Sequence, residues 1–186
     1  MPTDDSRFTD DYGDWALVAG GSDGLGAAFA HEIAMLGVNL VLVARRQGPL
    51  DMLAADLRDR YGVEVRTLSL DLGEADAAQR LDAETRNLKL GLVVFNAGSE
   101  ASGALFHETE YANWQALIQR NILFLTEALH RFGARFRANR RGGLWWARRQ
   151  RSAAGRMALY ILRVRATPSI FASRSGPSCG PMASTC

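Results

Sequence analysis

Residues 17–30, LVAGGSDGLGAAFA, place four glycines and a serine between an apolar run and a helical one. Such a loop has the composition of a phosphate cradle. Gly20 permits a tight turn, Gly24 lets the backbone approach a pyrophosphate, and Gly26 lets the following helix pack close to the strand layer. The first amides of that helix would then face the phosphates, with the positive end of the helix dipole behind them. Leu25 is assigned to the same contact, and Ser22 could add a hydroxyl. A second group of residues qualifies the ligand. Ala44, Arg45 and Arg46 end the next apolar run, where an NAD site needs an acid for the ribose 2′-hydroxyl. Paired guanidinium groups suit a 2′-phosphate instead, which predicts NADP(H) over NAD(H). The alternative for the pair is a solvated basic strand exit.

The surrounding pattern supplies elements that could hold these groups. WALVA (15–19), NLVLVA (39–44), VEVRTLSL (63–70) and GLVVF (91–95) have the texture of strands. Between them, Leu25, Phe29, Ile33 and Leu36 recur at helical spacing, with Gly37 as a stop. PLDMLAADLRDRYG predicts a helix entered near Pro49 and ended by Gly62. Residues 74–88 predict a third helix, with acids at its start. Residues 111–136 predict a further one, with Ile118, Ile122, Leu125, Leu129 and Phe132 on one face. Alternating apolar strands and helices imply a doubly wound parallel sheet flanked by helices. The pattern fails from about residue 140. The expected division is a polar N-terminal tail (1–12), a dinucleotide-binding domain (13–143) and an arginine-rich, poorly ordered tail (144–186).

Charge divides at nearly the same place. The net charge of +2 combines −10 over residues 1–127, which hold all 20 acids and 10 of the 22 bases, with +12 over residues 128–186, which hold 12 arginines. No apolar run approaches the roughly 20 residues of a bilayer span. The acidic N-terminus does not read as a secretory signal. Cys179 and Cys186 suggest neither a disulfide framework nor a metal site, so a cytoplasmic setting is expected.

The Gly20-x-x-x-Gly24-x-Gly26 spacing, ARR (44–46), DL (71–72), NAG (96–98) and Asn121 within RNILFL occur in one order. Together they resemble the short-chain dehydrogenase/reductase family over about residues 13–143. The resemblance implies a Rossmann-like sheet and hydride transfer between a nicotinamide and a small-molecule carbonyl or alcohol. It implies that Asp71 and Leu72 contact the adenine, that Asn96, Ala97 and Gly98 line its ribose and steady the sheet, and that Asn121 holds a helix kink and a water of the catalytic proton relay. It also implies a homo-oligomer, which an incomplete partner surface would put in doubt. YGDWALVAGGSDGLG (12–26) is similar to the branch acting on steroids and long-chain 3-oxoacyl groups. Ala19 replaces the threonine that usually leads the family's glycine motif.

One family feature is missing. A tyrosine with a lysine four residues later normally exchanges the proton, and lowering a phenol from about 10 to near 7 requires about 4 kcal/mol. After Asn121 the one tyrosine is Tyr160, followed at that spacing by Val164, and the chain's single lysine is Lys89. Ser152 stands only eight residues before Tyr160. A one-base shift in a GC-rich gene accounts for both the loss and the arginines. Joining the third base of each codon to the next two turns Trp145–Trp146 into valine and both Trp146–Ala147 and Met157–Ala158 into glycine. It permits Tyr-x-x-x-Lys from Tyr160 onward. From Ser175 to Cys186 it permits Trp-Ala-Glu-Leu-Arg-Pro-His-Gly-Val-Asn-Val, which is similar to the family's stretch after its catalytic helix.

Three functions follow for comparison. The first is an NADP(H)-dependent oxidoreductase, catalytically incomplete in this chain. The second is a non-catalytic NADP(H)-binding module. A nucleic-acid arm built on the arginines and on Trp145, Trp146 and Tyr160 is the third. It is disfavoured because a shifted frame explains the same charge, so neither a nucleic-acid nor a membrane partner is expected.

Overall fold

The computed structural model describes residues 12–96, 106–151 and 157–165. Its six strands are β1 (Trp15–Ala19), β2 (Asn39–Ala44), β3 (Val65–Ser69), β4 (Leu90–Phe95), β5 (Gly143–Arg151) and β6 (Met157–Arg165). They form one sheet of order β3-β2-β1-β4-β5-β6. The first five run parallel and β6 is antiparallel to β5. The chain moves outward from β1 to β3, then returns to the other side of β1 with β4. This reversal makes β1 and β4 the switch point of a doubly wound sheet.

Both faces of the central strands are buried, as their unbroken apolar runs require. Leu17, Ala19, Val41, Val43, Val93 and Phe95 face one cluster, with Leu81, Phe124 and Phe132. Ala16, Val18, Leu40, Leu42, Leu92 and Val94 face the other, with Ile33, Leu50 and Leu57. The alternation is the two-residue period of a strand.

The helices are α1 (Gly24–Met35), α2 (Gln47–Tyr61), α3 (Ala77–Thr85), α4 (Tyr111–Ile118) and α5 (Phe124–Ala138). A π-helical turn, Gln119–Leu123, joins α4 to α5. Gly37 and Gly62 both have positive φ, +74° and +68°. Gly62 caps α2 and its N–H donates to Arg58 O at 3.0 Å. Glycine suits such left-handed caps because it lacks a Cβ. Arg58 also donates to Val65 O, tying the end of α2 to β3.

Two helical faces differ from their periodicity. In α1 the buried residues are Gly26, Ala30, Ile33 and Ala34, while Leu25, Phe29 and Leu36 are half-buried. Small residues let the helix lie close to the sheet, and the larger ones flank the contact. In α5 the buried stripe is Phe124, Ala128, Phe132 and Phe136. Phe132 of the expected face is buried, but the rest of that face lies outward: Ile118 and Ile122, which precede α5, are 47% and 55% exposed, and Leu125 and Leu129 are half-buried. Four apolar residues at spacing four outcompete the neighbouring stripe because three of them are phenylalanines, whose large surface gains most from burial.

The α5 face is fixed to α3 by Arg135. Its guanidinium donates to Leu88 O at 2.6 Å, Thr85 O at 2.8 Å and Thr85 Oγ1 at 3.3 Å. It thereby caps the carboxyl end of α3, where unpaired carbonyls need donors. Burial lowers the proton affinity of Arg135, Asp82 at 3.9 Å raises it, and Arg86 lowers it.

Two strands lie beyond the expected domain boundary at residue 143. β5 pairs with β4 from Leu92–Gly143 to Phe95–Trp146, and β6 pairs with β5 throughout. The apolar stretches LWWA and MALYILRV suit strands, although their arginine-rich surroundings obscure the pattern. Leu144 is buried in the core. At the opposite end of the chain, the Tyr12 ring meets Trp145 edge-on at 6.3 Å. Gly91 gives passage to the Tyr12 carbonyl, and Gly143 to its ring: a Cβ on Gly143 would stand 2.8 Å from Tyr12 Cε1. Among the described residues no helix is long and apolar enough to cross a membrane.

Candidate cofactor site at the carboxyl edge of the sheet

β1 ends at Ala19 and α1 begins at Gly24, so the glycine loop spans only a few residues. Gly20 has φ +85° and Gly24 has φ +55°, values that favour glycine. The N–H groups of Gly20 and Gly21 donate to Val43 O at 2.8 and 3.2 Å, anchoring the loop to the end of β2. Asp23 is the N-cap of α1 and its carboxylate accepts from Gly24 N at 2.6 Å. The next amides of the first turn have no intrahelical acceptor. Space beside Gly24 is open, with nothing within 4 Å of a Cβ built there. Leu25 and Ser22 are half-buried at the loop.

Gly26 has a tighter reason to be glycine than the sequence suggests. A Cβ there would collide with the Gly20 carbonyl and lie 2.9 Å from Asn96 Nδ2. The close approach is therefore between the helix start, the loop and Asn96, rather than between helix and sheet alone. Asn96 follows β4 and closes the same corner. Its N–H donates to Ala19 O at 2.9 Å, and its Nδ2 donates to Gly20 O at 3.4 Å.

The other candidates divide. Arg45 and Arg46 are exposed at the exit of β2, and Arg46 is the N-cap of α2 without a side-chain cap bond. Among the described residues neither guanidinium has a hydrogen-bond or ion-pair partner. Asp71 follows β3, and its Oδ1 accepts from Gly73 N at 2.8 Å, forming a local turn. Leu72 is buried in the core. Ala97 and Gly98 lie outside the described residues. Asn121 sits within the π-helical turn and donates from Nδ2 to Leu117 O at 2.9 Å. Such back-bonding accompanies the expected departure from α geometry. Thus the glycine loop, the arginine pair, Asp71 and Asn96 all occupy the carboxyl edge of the sheet. Tyr160 lies on β6, where residues four apart are separated by about 13 Å, more than twice their spacing on a helix.

A separate groove of about 780 Å³ lies along the α3–α5 seam, lined among others by Asp82, Arg86, Lys89, Arg131 and Arg135. It sits at the amino end of β4, opposite Asn96. Two of its cations are engaged by neighbours: Arg131 pairs with Glu127 at 2.7 Å and Arg135 caps α3.

Residues 14–143 match the short chain dehydrogenase family. A 7beta-hydroxysteroid dehydrogenase of Clostridium sardiniense is 35% identical over 136 residues, covering 73% of this chain and 52% of that protein. A very-long-chain 3-oxoacyl-CoA reductase of Bos taurus is 35% identical over 86 residues, covering 46% of this chain and 28% of that protein. Among solved structures, a short-chain dehydrogenase from Sphingobium yanoikuyae in complex with NADPH superposes with a TM-score of 0.65. It is 34% identical, over 70% of this chain and 51% of that one. The chain spans about half the length of the Clostridium relative.

Proposed function

Because the chain belongs to the short-chain dehydrogenase family, we propose that it binds NADP(H) in preference to NAD(H) across the carboxyl ends of β1, β2 and β4. We further propose that its gene specifies a carbonyl reductase or alcohol dehydrogenase. The observation that carries this is the convergence of the glycine loop, Arg45, Arg46, Asp71 and Asn96 on one edge of the sheet. The residues fit the group: a Cβ would close the cradle at Gly26, and the space beside Gly24 is open. The amides of α1 would hold the pyrophosphate, and Arg45 with Arg46 the 2′-phosphate. Bound there, the nicotinamide supplies or takes the hydride. Ser22, Leu25 and the backbone of Leu72 complete the contact, Asp71 orients the adenine, and Asn96, Ala97 and Gly98 line its ribose. Asn121 holds a water for proton transfer. NADPH- and NADP-bound neighbours support the choice of cofactor. The substrate class is a small-molecule ketone or secondary alcohol, steroid-like or long-chain 3-oxoacyl, as in the named relatives. The working compartment is the cytosol.

The absent Tyr-x-x-x-Lys favours a second reading for this chain as it stands, a module that binds NADP(H) without turnover. A shift of frame near Gly143 or Leu144 accounts for that absence. Titration with NADPH and NADH, paired with a ketone-reduction assay, separates the readings. Binding of NADPH without turnover supports the module. Equal affinity for both cofactors, unchanged in Arg45→Ala/Arg46→Ala, overturns the NADP(H) assignment. Nucleotide sequencing around codon 143 tests the frame: a shifted frame that lacks Tyr-x-x-x-Lys and soon meets a stop eliminates that explanation.

A further inference from the structure

The turn that carries Arg45 and Arg46 is fastened at both ends by hydroxyls from one neighbouring strand. Ser69 Oγ donates to Arg45 O at 2.9 Å. Two residues earlier on β3, and so on the same face, Thr67 Oγ1 accepts from Gln47 Nε2 at 3.0 Å. Thr67 Oγ1 also donates to Asp51 Oδ1 at 3.1 Å, and Gln47 Nε2 donates to the same oxygen at 2.7 Å. The parallel register sets Thr67 beside Leu42 and Ser69 beside Ala44. Leu70 N donates to Ala44 O at 3.0 Å, fixing the strand end beneath the turn. One hydroxyl therefore holds the backbone carbonyl of the first turn residue, the other holds the side-chain amide of the first residue of α2, and Arg46 lies between them.

We propose that Ser69 and Thr67 are specificity-determining positioning residues, which hold the β2–α2 turn so that Arg45 and Arg46 converge on the adenosine 2′-phosphate. This rests on the NADP(H) assignment above. Arginine side chains lose much rotamer freedom on binding, and a fixed backbone keeps that loss to the side chains alone. An NAD(H) ligand has a 2′-hydroxyl and makes no comparable demand on two guanidinium groups. The clamp therefore acts on the preference between cofactors rather than on dinucleotide binding as a whole.

Calorimetric Kd values for NADP⁺ and NAD⁺ on the full chain provide the test. Ser69→Val and Ser69→Thr have nearly the same shape and differ in the hydroxyl. The valine variant is expected to weaken NADP⁺ binding roughly five-fold, with NAD⁺ held within about two-fold and the threonine variant close to the unmodified chain. Thr67→Val should act in the same direction and serves in place of the Ser69 variants if either does not fold. Parallel loss for both cofactors shows a merely structural role and overturns the proposal, as does no change for either. Arg45→Ala/Arg46→Ala separates the layers. If it abolishes the NADP⁺ preference while the hydroxyl variants do not move it, the clamp alone fails. If it leaves the preference intact, or the unmodified chain binds no NADP⁺, the arginine assignment fails and the clamp falls with it.

Discussion

A methyl group at Gly26 would meet the Gly20 carbonyl and Asn96 Nδ2 together, and neither can retreat freely. Gly20 is bonded to Val43 and Asn96 to Ala19, so relief would have to come from the loop itself. Gly26→Ala is expected to cost about 1–3 kcal/mol in a denaturant titration, the usual range for overpacking. It should also weaken NADPH binding, because the displaced loop carries the proposed phosphate site. At Gly24 the space is open but φ is positive, so Gly24→Ala should cost about 1 kcal/mol through backbone strain. Unfolding curves that rank Gly24→Ala as the more harmful would contradict this account. Asn96→Ala removes a weak bond at 3.4 Å and leaves the Ala19 contact, which the backbone makes. Its expected effect is a modest rise in NADPH Kd, read by fluorescence titration, with little change in stability.

Between α3 and α5, the seam depends on one guanidinium. Arg135→Ala would strand the carbonyls of Thr85 and Leu88 at a half-buried helix end, at a cost of about 2–3 kcal/mol. Arg135→Lys keeps the charge but cannot reach the same acceptors in a fork, so it should recover only part of the loss. Thermal unfolding of the two variants checks the order. This seam also shows what local sequence can reveal. β1 and β2, with the glycine ends of α1 and α2, were legible because an apolar run or a cap is a property of neighbours in the chain. The buried face of α5 was legible only at Phe132: Leu125 and Leu129 compete with Phe124 and Ala128 along the helix, and the contacts of Phe124 and Phe132 with Phe95 come from a distant strand. The candidate site was legible for the same reason as the strands, since a glycine loop and an arginine pair are local features. The bonds from Ser69 to Arg45 and from Asn96 to Gly20 join residues 24 and 76 apart in sequence, which no periodicity reports.

Across the whole molecule, family similarity and charge balance change within one helix and the strand after it. The family match ends at residue 143, and no acid follows Glu127. If the frame changes there, correcting the gene by one base should yield a chain whose later part carries Tyr-x-x-x-Lys. NADPH consumption with a panel of ketones is expected to appear in the corrected protein and to be at background in the present one. Equal turnover by both would show that ketone reduction does not require the tyrosine–lysine pair this chain lacks. Added salt should matter little to folding of residues 12–96, whose surface ion pairs are exposed and worth little individually.

Tyr12 reaches across Gly91 to the ring of Trp145 and the backbone at Gly143. Tyr12 is thus completed by nearly the last piece of parallel sheet to leave the ribosome. A nascent chain stopped short of residue 143 would hold an unfinished corner, with Tyr12 lacking its lid. Closing so wide a loop comes late, because distant contacts repay their ordering cost only after nearer ones have formed. Whatever follows residue 145 therefore emerges while this corner is still being sealed.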